Sequence, residues 1–534
     1  MPHAAAFTVL DYHERTKHHY DRYARSAGVM DWTNQPNPFR FYEDCTLLPL
    51  DRTDRDISLS WADLVNRQTM SAAIAAETIS VFLAHSLGLA AWKQAGSTRW
   101  SLRINPSSGN LHPTEAHLIL PDLDGQGPGL YHYNPFYHAL ERRAAVPADL
   151  WQDLERHLGG VGFCIGLTAI HWREAWKYGE RAWRYVNLDA GHALVAASLA
   201  AALCGWRLSV LHGMADGEAE ALLGLDRTAW PEAETEEPEV VCAVVPAGRP
   251  GVGDLTAEIL AGFATLPIAG RPNRLSPAHV DWDIIGKAAT SARKPRTPAM
   301  DVRVDRRLWQ QPVPNVTAAR LIRQRRSATA YDPKGWMARQ AFAAILERTL
   351  PRAGMPPFDA LAAGPAIDLL VFVHRVNDLA PGLYLYLRQE TDRCRLASAI
   401  GRPLTPVPGI HGLLLLEPGD WRRVATKVSC VQDIAGDGVF SLGMIGELDQ
   451  GLATEGYRYR QLFCEAGMVG QMLYLEAEAQ GFRGTGIGCF FDDPVRELAG
   501  LDQTPFHSLY HFTVGRPVED PRLSTLPAYH HLAR

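Results

Sequence analysis

AGHALVAASLAAALCGWR at residues 190–207 and AGMVGQMLYLEAEAQGFR at residues 466–483 share one pattern. Small and apolar residues recur at helical spacing, a glycine closes each run, and an aromatic residue and an arginine follow. Gly191 and Gly467 lie 276 positions apart, as do Arg207 and Arg483. The register holds through the next loop and helix, where Leu223-Gly224-Leu225-Asp226 returns as Ala499-Gly500-Leu501-Asp502 at the same offset. Further on, VVPAGRP at 244–250 parallels FTVGRP at 512–517, each a strand ending in Gly-Arg-Pro. Chance rarely preserves register over such a distance, and two copies are too few for a solenoid. The chain therefore reads as a duplicated domain of roughly 200 residues per copy.

Composition agrees with this. A chain of 534 residues exceeds what one core supports, and 46% hydrophobic with 21% charged residues is ordinary for a globular protein. A net charge of −6 gives no general attraction to nucleic acid or acidic membranes, so neither is expected as a partner. The eight cysteines are scattered, with no C-x-x-C pair and no Cys/His cluster at zinc spacing, which predicts reduced thiols, no metal and a cytoplasmic location. The N-terminus reaches Asp11 and Glu14 before any sizeable apolar run, so no signal peptide or membrane anchor is expected.

The pattern divides the chain into an N-terminal extension (1–60), a first copy (61–262), a Pro-rich connector (263–314) and a second copy (315–534). In the connector, Trp282, Ile284, Ile285 and Trp309 predict docking on the domains. Long Ala/Leu-rich helical patterns (71–95, 187–205, 338–350, 461–480) alternate with short strands (116–120, 165–170, 240–245, 367–373, 413–416, 508–514), which predicts an α+β architecture.

Four stretches carry candidate chemistry. INPSSGNLHPTE at 104–115 forms a tight polar turn whose N–H groups and short side chains can face a flat polar ligand; an ordinary turn into the next strand accounts for the same composition. Arg325-Arg326-Ser327 closes a short helical segment and offers cationic forks and a hydroxyl to a phosphate, or else is a solvated basic helix end. GTGIGCFFDDP at 484–494 has three alternating glycines that permit close backbone approach to a ligand, or simply form a loop between helix and strand; its spacing is not that of a dinucleotide fingerprint. Lys177-Tyr178 can act as a general acid/base pair if burial or nearby charge shifts either group, although such pairs are more often surface residues. His192, on an Ala/Leu helical face, reads as a packed core residue, and His112 lies inside the polar turn.

Together these motifs resemble the nitroreductase-like FMN-dependent flavoproteins, especially the SagB/ThcOx-type dehydrogenases with tandem nitroreductase domains. The resemblance implies two tandem nitroreductase-like domains, each a mixed sheet flanked by helices, forming an intramolecular pseudo-dimer with flavin sites at the interface. It implies FMN as cofactor, with Pro106, Ser107, Ser108 and Asn110 at the ring, and Arg325, Arg326, Ser327 and Arg516 on the phosphate and ribityl chain. Gly486, Gly488 and Cys489 would make main-chain contact with the ring, and Lys177 and Tyr178 would be catalytic. The first copy has only Asn66-Arg67-Gln68-Thr69 where the second has the Arg-Arg-Ser segment, and the second has AGMPPFDALAAGP (353–365) in place of the PSSGN turn. The surviving pieces are complementary, so one complete site and one degenerate site are expected.

The expected activity is hydride transfer between an organic substrate, a small molecule or a peptide, and flavin N5. NAD(P)H-dependent nitro or quinone reduction is the alternative on the same cofactor, and a non-catalytic flavin-binding scaffold of a modification complex is the alternative outside catalysis. A homodimer of the pseudo-dimeric chain is compatible with all three.

Overall fold

Two long helices cross at the centre of the protein, and they are the two copies of the repeat. A computed structural model describes residues 6–52, 57–249, 252–298, 310–361, 364–388 and 393–532. Helix α1 (Ala182–Leu203) is buried along its whole length, and α2 (Tyr457–Ala479) along most of it. Gly191 of α1 packs on the backbone carbonyl of Cys464, and Gly467 of α2 packs on that of Leu188; a Cβ at either glycine would overlap the facing oxygen. Residues 188 and 464 are themselves equivalent, so this is one contact made twice about a pseudo-two-fold axis, as in an isologous dimer. A second reciprocal pair flanks it. Arg184 meets Asp492 at 2.7 Å and Arg460 meets Asp216 at 2.6 Å, each carboxylate sitting in the first turn of a short helix where the helix dipole also favours it.

Each copy contributes six strands in matching order to a seven-stranded sheet, and the first-named edge strand differs: Thr46–Pro49 comes from the N-terminal extension, whereas Thr405–Pro406 lies within the second copy. The first runs in the order Thr46–Pro49, Ala139–Ala145, Gly129–Asn134, Thr114–Leu120, Phe163–Ile170, Glu236–Pro246, Trp206–Val210. The second runs Thr405–Pro406, Leu413–Pro418, Gly382–Tyr386, Ile367–Val373, Phe440–Glu447, Phe506–Gly515, Arg483–Ile487. The α+β class holds, and among the described residues every ladder in both sheets is antiparallel, where a mixture of strand directions was expected. One hydrophobic core runs through both copies across the α1–α2 crossing, with a satellite cluster on the outer face of each sheet. The segment His171–Leu203 is long and apolar enough to cross a membrane by composition, yet its most apolar window lies wholly inside this core.

Two other sequence expectations change. The helical pattern at 71–95 ends at Ser86, and Leu89–Ala95 is a strand; the apolar run continues because the strand covers the same core. The glycine stretch, for which a plain loop is one of two readings, begins as the edge strand Arg483–Ile487.

The ends of the chain exchange between copies. The N-terminal extension reaches the second copy through Lys17 Nζ on Asp493 (2.9 Å) and the His18 N–H donated to Asp492 (2.8 Å). The C-terminal strand Ser524–Leu526 pairs with Leu89–Ala95 of the first copy. In the connector, Ile284 and Ile285 are buried on helix Asp283–Ser291 and Trp282 packs against the core, as docking predicts; Trp309 lies outside the described residues.

Replacing Gly467 by Ala tests the crossing. Helix propensity alone would favour the alanine by about 1 kcal/mol, whereas overlap with the Leu188 carbonyl forces the helices apart at a cost of about 1–3 kcal/mol. The denaturant midpoint is expected to fall; a midpoint that rises by the propensity term would show that the backbones do not meet.

A candidate active site at the junction of the two copies

A cleft of about 440 Å³ opens between the copies, lined by Pro106–Asn110, Tyr178, Tyr185 and Asp189 from the first and by Arg325–Ser327, Tyr474, Gly486–Cys489 and Tyr510 from the second. Residues more than 200 positions apart in sequence thus converge on one wall-to-wall space.

The polar turn is braced from within. Gly109, Asn110 and His112 all take left-handed φ values, +58°, +60° and +54°. The Ser107 hydroxyl accepts the His112 N–H (2.9 Å), the Asn110 amide donates to the Ser101 carbonyl (2.9 Å), and Ser108 gives Asp189 both its N–H (3.0 Å) and its hydroxyl (3.1 Å). Side chains expected to face a ligand therefore hold the turn in place and leave its backbone on the cleft wall. His112 is buried, and desolvation pushes its imidazole well below the ordinary range, so it is a neutral brace. Lys177 and Tyr178 lie over the turn: a Cβ on Gly109 would come within 2.6 Å of Tyr178 Oη and 3.0 Å of Lys177 Nζ. Burial and the neighbouring Glu174 raise the Tyr178 phenol well above its usual range, so it rests as a proton donor.

Positive charge collects at the other end. Arg325 is 4% exposed, and its Nε and Nη1 have no hydrogen-bond partner among the described residues. Its guanidinium stands 5.0 Å above the Tyr474 ring. Burial and then the charge of Arg325 bring Arg326 down to about 10, and Lys93 is lowered by burial and then by Arg326. Three cations crowded into a half-dry space, one with unanswered N–H groups, fit an anion such as a phosphate. Ser327 Oγ stands 2.9 Å from Tyr474 Oη, which accepts the Gly486 N–H at 2.8 Å.

The alternating glycines have a packing reason. A Cβ on Gly486 would overlap Tyr510 Oη, and one on Gly488 would reach 2.5 Å from the Tyr185 ring, so both are small to admit aromatic rings into the cleft wall. Tyr185 then donates to the Gly488 carbonyl at 3.0 Å. Cys489 also lines the cleft. Arg516 does not: it is exposed, its carbonyl accepts the Asp332 N–H at 2.8 Å and its side chain lies against Gly335. His192 is packed as the sequence suggested, with Nδ1 3.1 Å from Gln471 and Nε2 3.3 Å from Tyr510.

The pseudo-symmetric counterpart is smaller and differently charged. Its cavity of about 110 Å³ is lined by Val210 and His212, the positions equivalent to Gly486 and Gly488. Arg67, in the segment that replaces Arg-Arg-Ser, is paired with buried Asp359 at 2.5 Å, so its charge is already answered.

Sequence reasoning missed Lys93, Glu174, Tyr185, Asp189, Tyr474 and Tyr510. Asp189 carried a signal, an acid within an otherwise apolar helical run. Lys93 was hidden by the misread strand, and the tyrosines are indistinguishable in sequence from core aromatics.

The profile of the nitroreductase family matches residues 69–248. No curated protein sequence matches the chain. Among solved structures, a candidate nitroreductase from Anabaena variabilis ATCC 29413 aligns over 95% of this chain and 99% of its own, at 22% identity and a TM-score of 0.68, which shows a common fold. A candidate nitroreductase from Ralstonia eutropha JMP134 covers 42% of this chain and 98% of its own, at 17% identity and a TM-score of 0.28. The Escherichia coli microcin synthetase McbBCD, solved with truncated pro-MccB17 bound, covers 47% of this chain and 84% of its own, at 20% identity and a TM-score of 0.26.

Because Arg325 carries a buried charge with unanswered N–H groups, Arg325→Met is expected to stabilise the ligand-free protein by on the order of 1 kcal/mol and to abolish stabilisation by added inorganic phosphate. Thermal melts with and without phosphate read both effects. A variant that melts lower and still responds to phosphate would remove Arg325 from the anion site.

Proposed function

We propose that this protein is an FMN-dependent oxidoreductase of the nitroreductase type, acting as a SagB/ThcOx-type dehydrogenase at one composite site per chain. The observation that carries the reading is the placement of the second copy's Arg325-Arg326-Ser327 across one cleft from the first copy's PSSGN turn. In this reading Arg325 and Arg326, with Lys93, hold the phosphate, and Pro106–Asn110 with Gly486–Cys489 flank the ring. FMN, when bound, supplies an electrophilic ring nitrogen that exchanges hydride with a substrate carbon.

The chain's own residues supply the rest. The aromatic walls Tyr185, Tyr474 and Tyr510 exclude water from one side of the cleft. Lys177 and Tyr178 move the substrate's proton: the neutral phenol passes a proton on while accepting another, and the Lys177 ammonium, 5.3 Å from the Tyr178 ring centre, stabilises negative charge that develops there. The substrate is a small molecule or a peptide, the setting cytoplasmic, and the division at 61–262 and 315–534 marks the two catalytic halves. Reduction of nitro compounds or quinones by NAD(P)H uses the same cleft in the opposite direction and is favoured by the family match over 69–248. A scaffold without chemistry would need neither Lys177 nor Tyr178 set against the turn.

Purified protein is expected to be yellow with about one FMN per chain, since Arg67 at the other site is neutralised by Asp359. Absorbance against protein concentration tests this: two tightly held equivalents would refute the degenerate site, and an inability to bind FMN would refute the flavoprotein reading. NAD(P)H that bleaches the flavin rapidly would select the reductase.

Lys177→Ala and Tyr178→Phe are expected to keep FMN content and dithionite reduction normal while lowering turnover by roughly 10²-fold or more. Flavin loss in either variant, or full turnover, would make the pair structural.

A further inference from the structure

Beneath the polar turn two carboxyl groups face each other where both cannot be charged. Glu174, on helix His171–Tyr178, has no exposed surface, and neither of its oxygens has a hydrogen-bond donor among the described residues. Asp189, on α1, is 2% exposed, borders the cleft and accepts the N–H and hydroxyl of Ser108. Helix His171–Tyr178 packs on α1, and the two carboxyls interact across that contact. Ionised carboxylates are acceptors only, so a proton must sit between them for the contact to hold.

The surrounding charges do not remove that need. Arg173, next to Glu174 in sequence, is turned to Glu115 at 2.5 Å. Lys177 lies one turn further along the same helix as Glu174 and reaches over Gly109. Tyr178, Tyr185 from α1 and Tyr510 from the second copy complete the titratable groups facing the pair, and all three phenols are raised by burial first. Burial raises both carboxyls, Glu174 well above the usual range and Asp189 to about 8.

We propose that Glu174 and Asp189 are a proton-holding pair that serves the cleft, with Asp189 exchanging the proton and Glu174 positioning it. When substrate is reduced, the Asp189 O–H bond breaks and its proton goes to the substrate atom that needs one. The negative charge left on the pair is held by the Ser108 N–H and hydroxyl. When substrate is oxidised the same proton returns. The proton thus moves beside the hydride, relayed by Tyr178, which lines the same cleft. This assignment rests on the oxidoreductase reading above.

The test is the infrared carboxylic-acid C=O stretch of the full-length protein, recorded as a difference between wild type and Glu174→Gln across a pH series. The expected result is a band present at neutral pH in wild type, losing part of its intensity as Asp189 ionises near pH 8, and absent from the variant. Other raised buried acids, Glu239 and Glu476, cancel in the difference. Asp189→Asn, which keeps an oxygen for Ser108, is expected to remove the same band and gives a second reading if Glu174→Gln fails to fold. In flavin-loaded protein, the break in the midpoint potential against pH is expected to move by at least one pH unit in Glu174→Gln with FMN content unchanged, which a merely structural role would not produce. A difference spectrum without the band, or a break that stays in place, overturns the proposal. If wild type binds no FMN the oxidoreductase reading fails, while the infrared difference still decides whether the pair holds a proton.

Discussion

The close crossing of α1 and α2 is the constraint on which the remaining geometry depends. Two glycines let backbone meet backbone at equivalent points, and larger residues at either position would push the helices apart. At this separation the carboxylate at the start of each short helix reaches the arginine of the opposite copy, giving the Arg184–Asp492 and Arg460–Asp216 pairs. Buried ion pairs add little net stability, because desolvation offsets attraction, but they penalise any other register heavily. Close packing sets how near the copies lie, and the ion pairs set how they are aligned.

The cleft follows from that alignment. Its turn comes from the first copy and its cations and glycine strand from the second, so neither copy alone contains the site. The chain termini reinforce the arrangement by crossing in opposite directions, the extension onto the second copy and the last strand onto the first. Duplication within one polypeptide also removes the requirement that both interface sites be alike. One position has an unanswered arginine and slender glycines; at the other, Asp359 answers Arg67, and Val210 and His212 take up space.

Polar groups beneath the turn show how much of the site lies outside the residues that touch the cleft. Ser108 is fixed by Asp189, Asp189 faces Glu174, and Ser107 is tied to His112. A turn with three residues in left-handed conformation is stable only when surrounding contacts over-determine it. The braces meet that condition and at the same time place ionisable groups next to the cleft.

The sequence by itself determined the internal repeat, the α+β class and the uneven distribution of the polar motifs, because each is written in local runs: helical spacing around Gly191 and Gly467, the Gly-Arg-Pro strand ends, and PSSGN present in one half with Arg-Arg-Ser in the other. It misassigned Leu89–Ala95 and did not mark the glycine edge strand, where an apolar run and a glycine run have the same composition in either conformation. Only the tertiary structure decided which charges are answered. Arg325, Arg67 and Arg516 are the same residue type in sequence; burial with two unanswered nitrogens, pairing with Asp359 and exposure to solvent separate them. The pairing of Glu174 with Asp189 is likewise a product of packing, since desolvation and the approach of a second carboxyl are properties of the space around a side chain and not of its position in the chain.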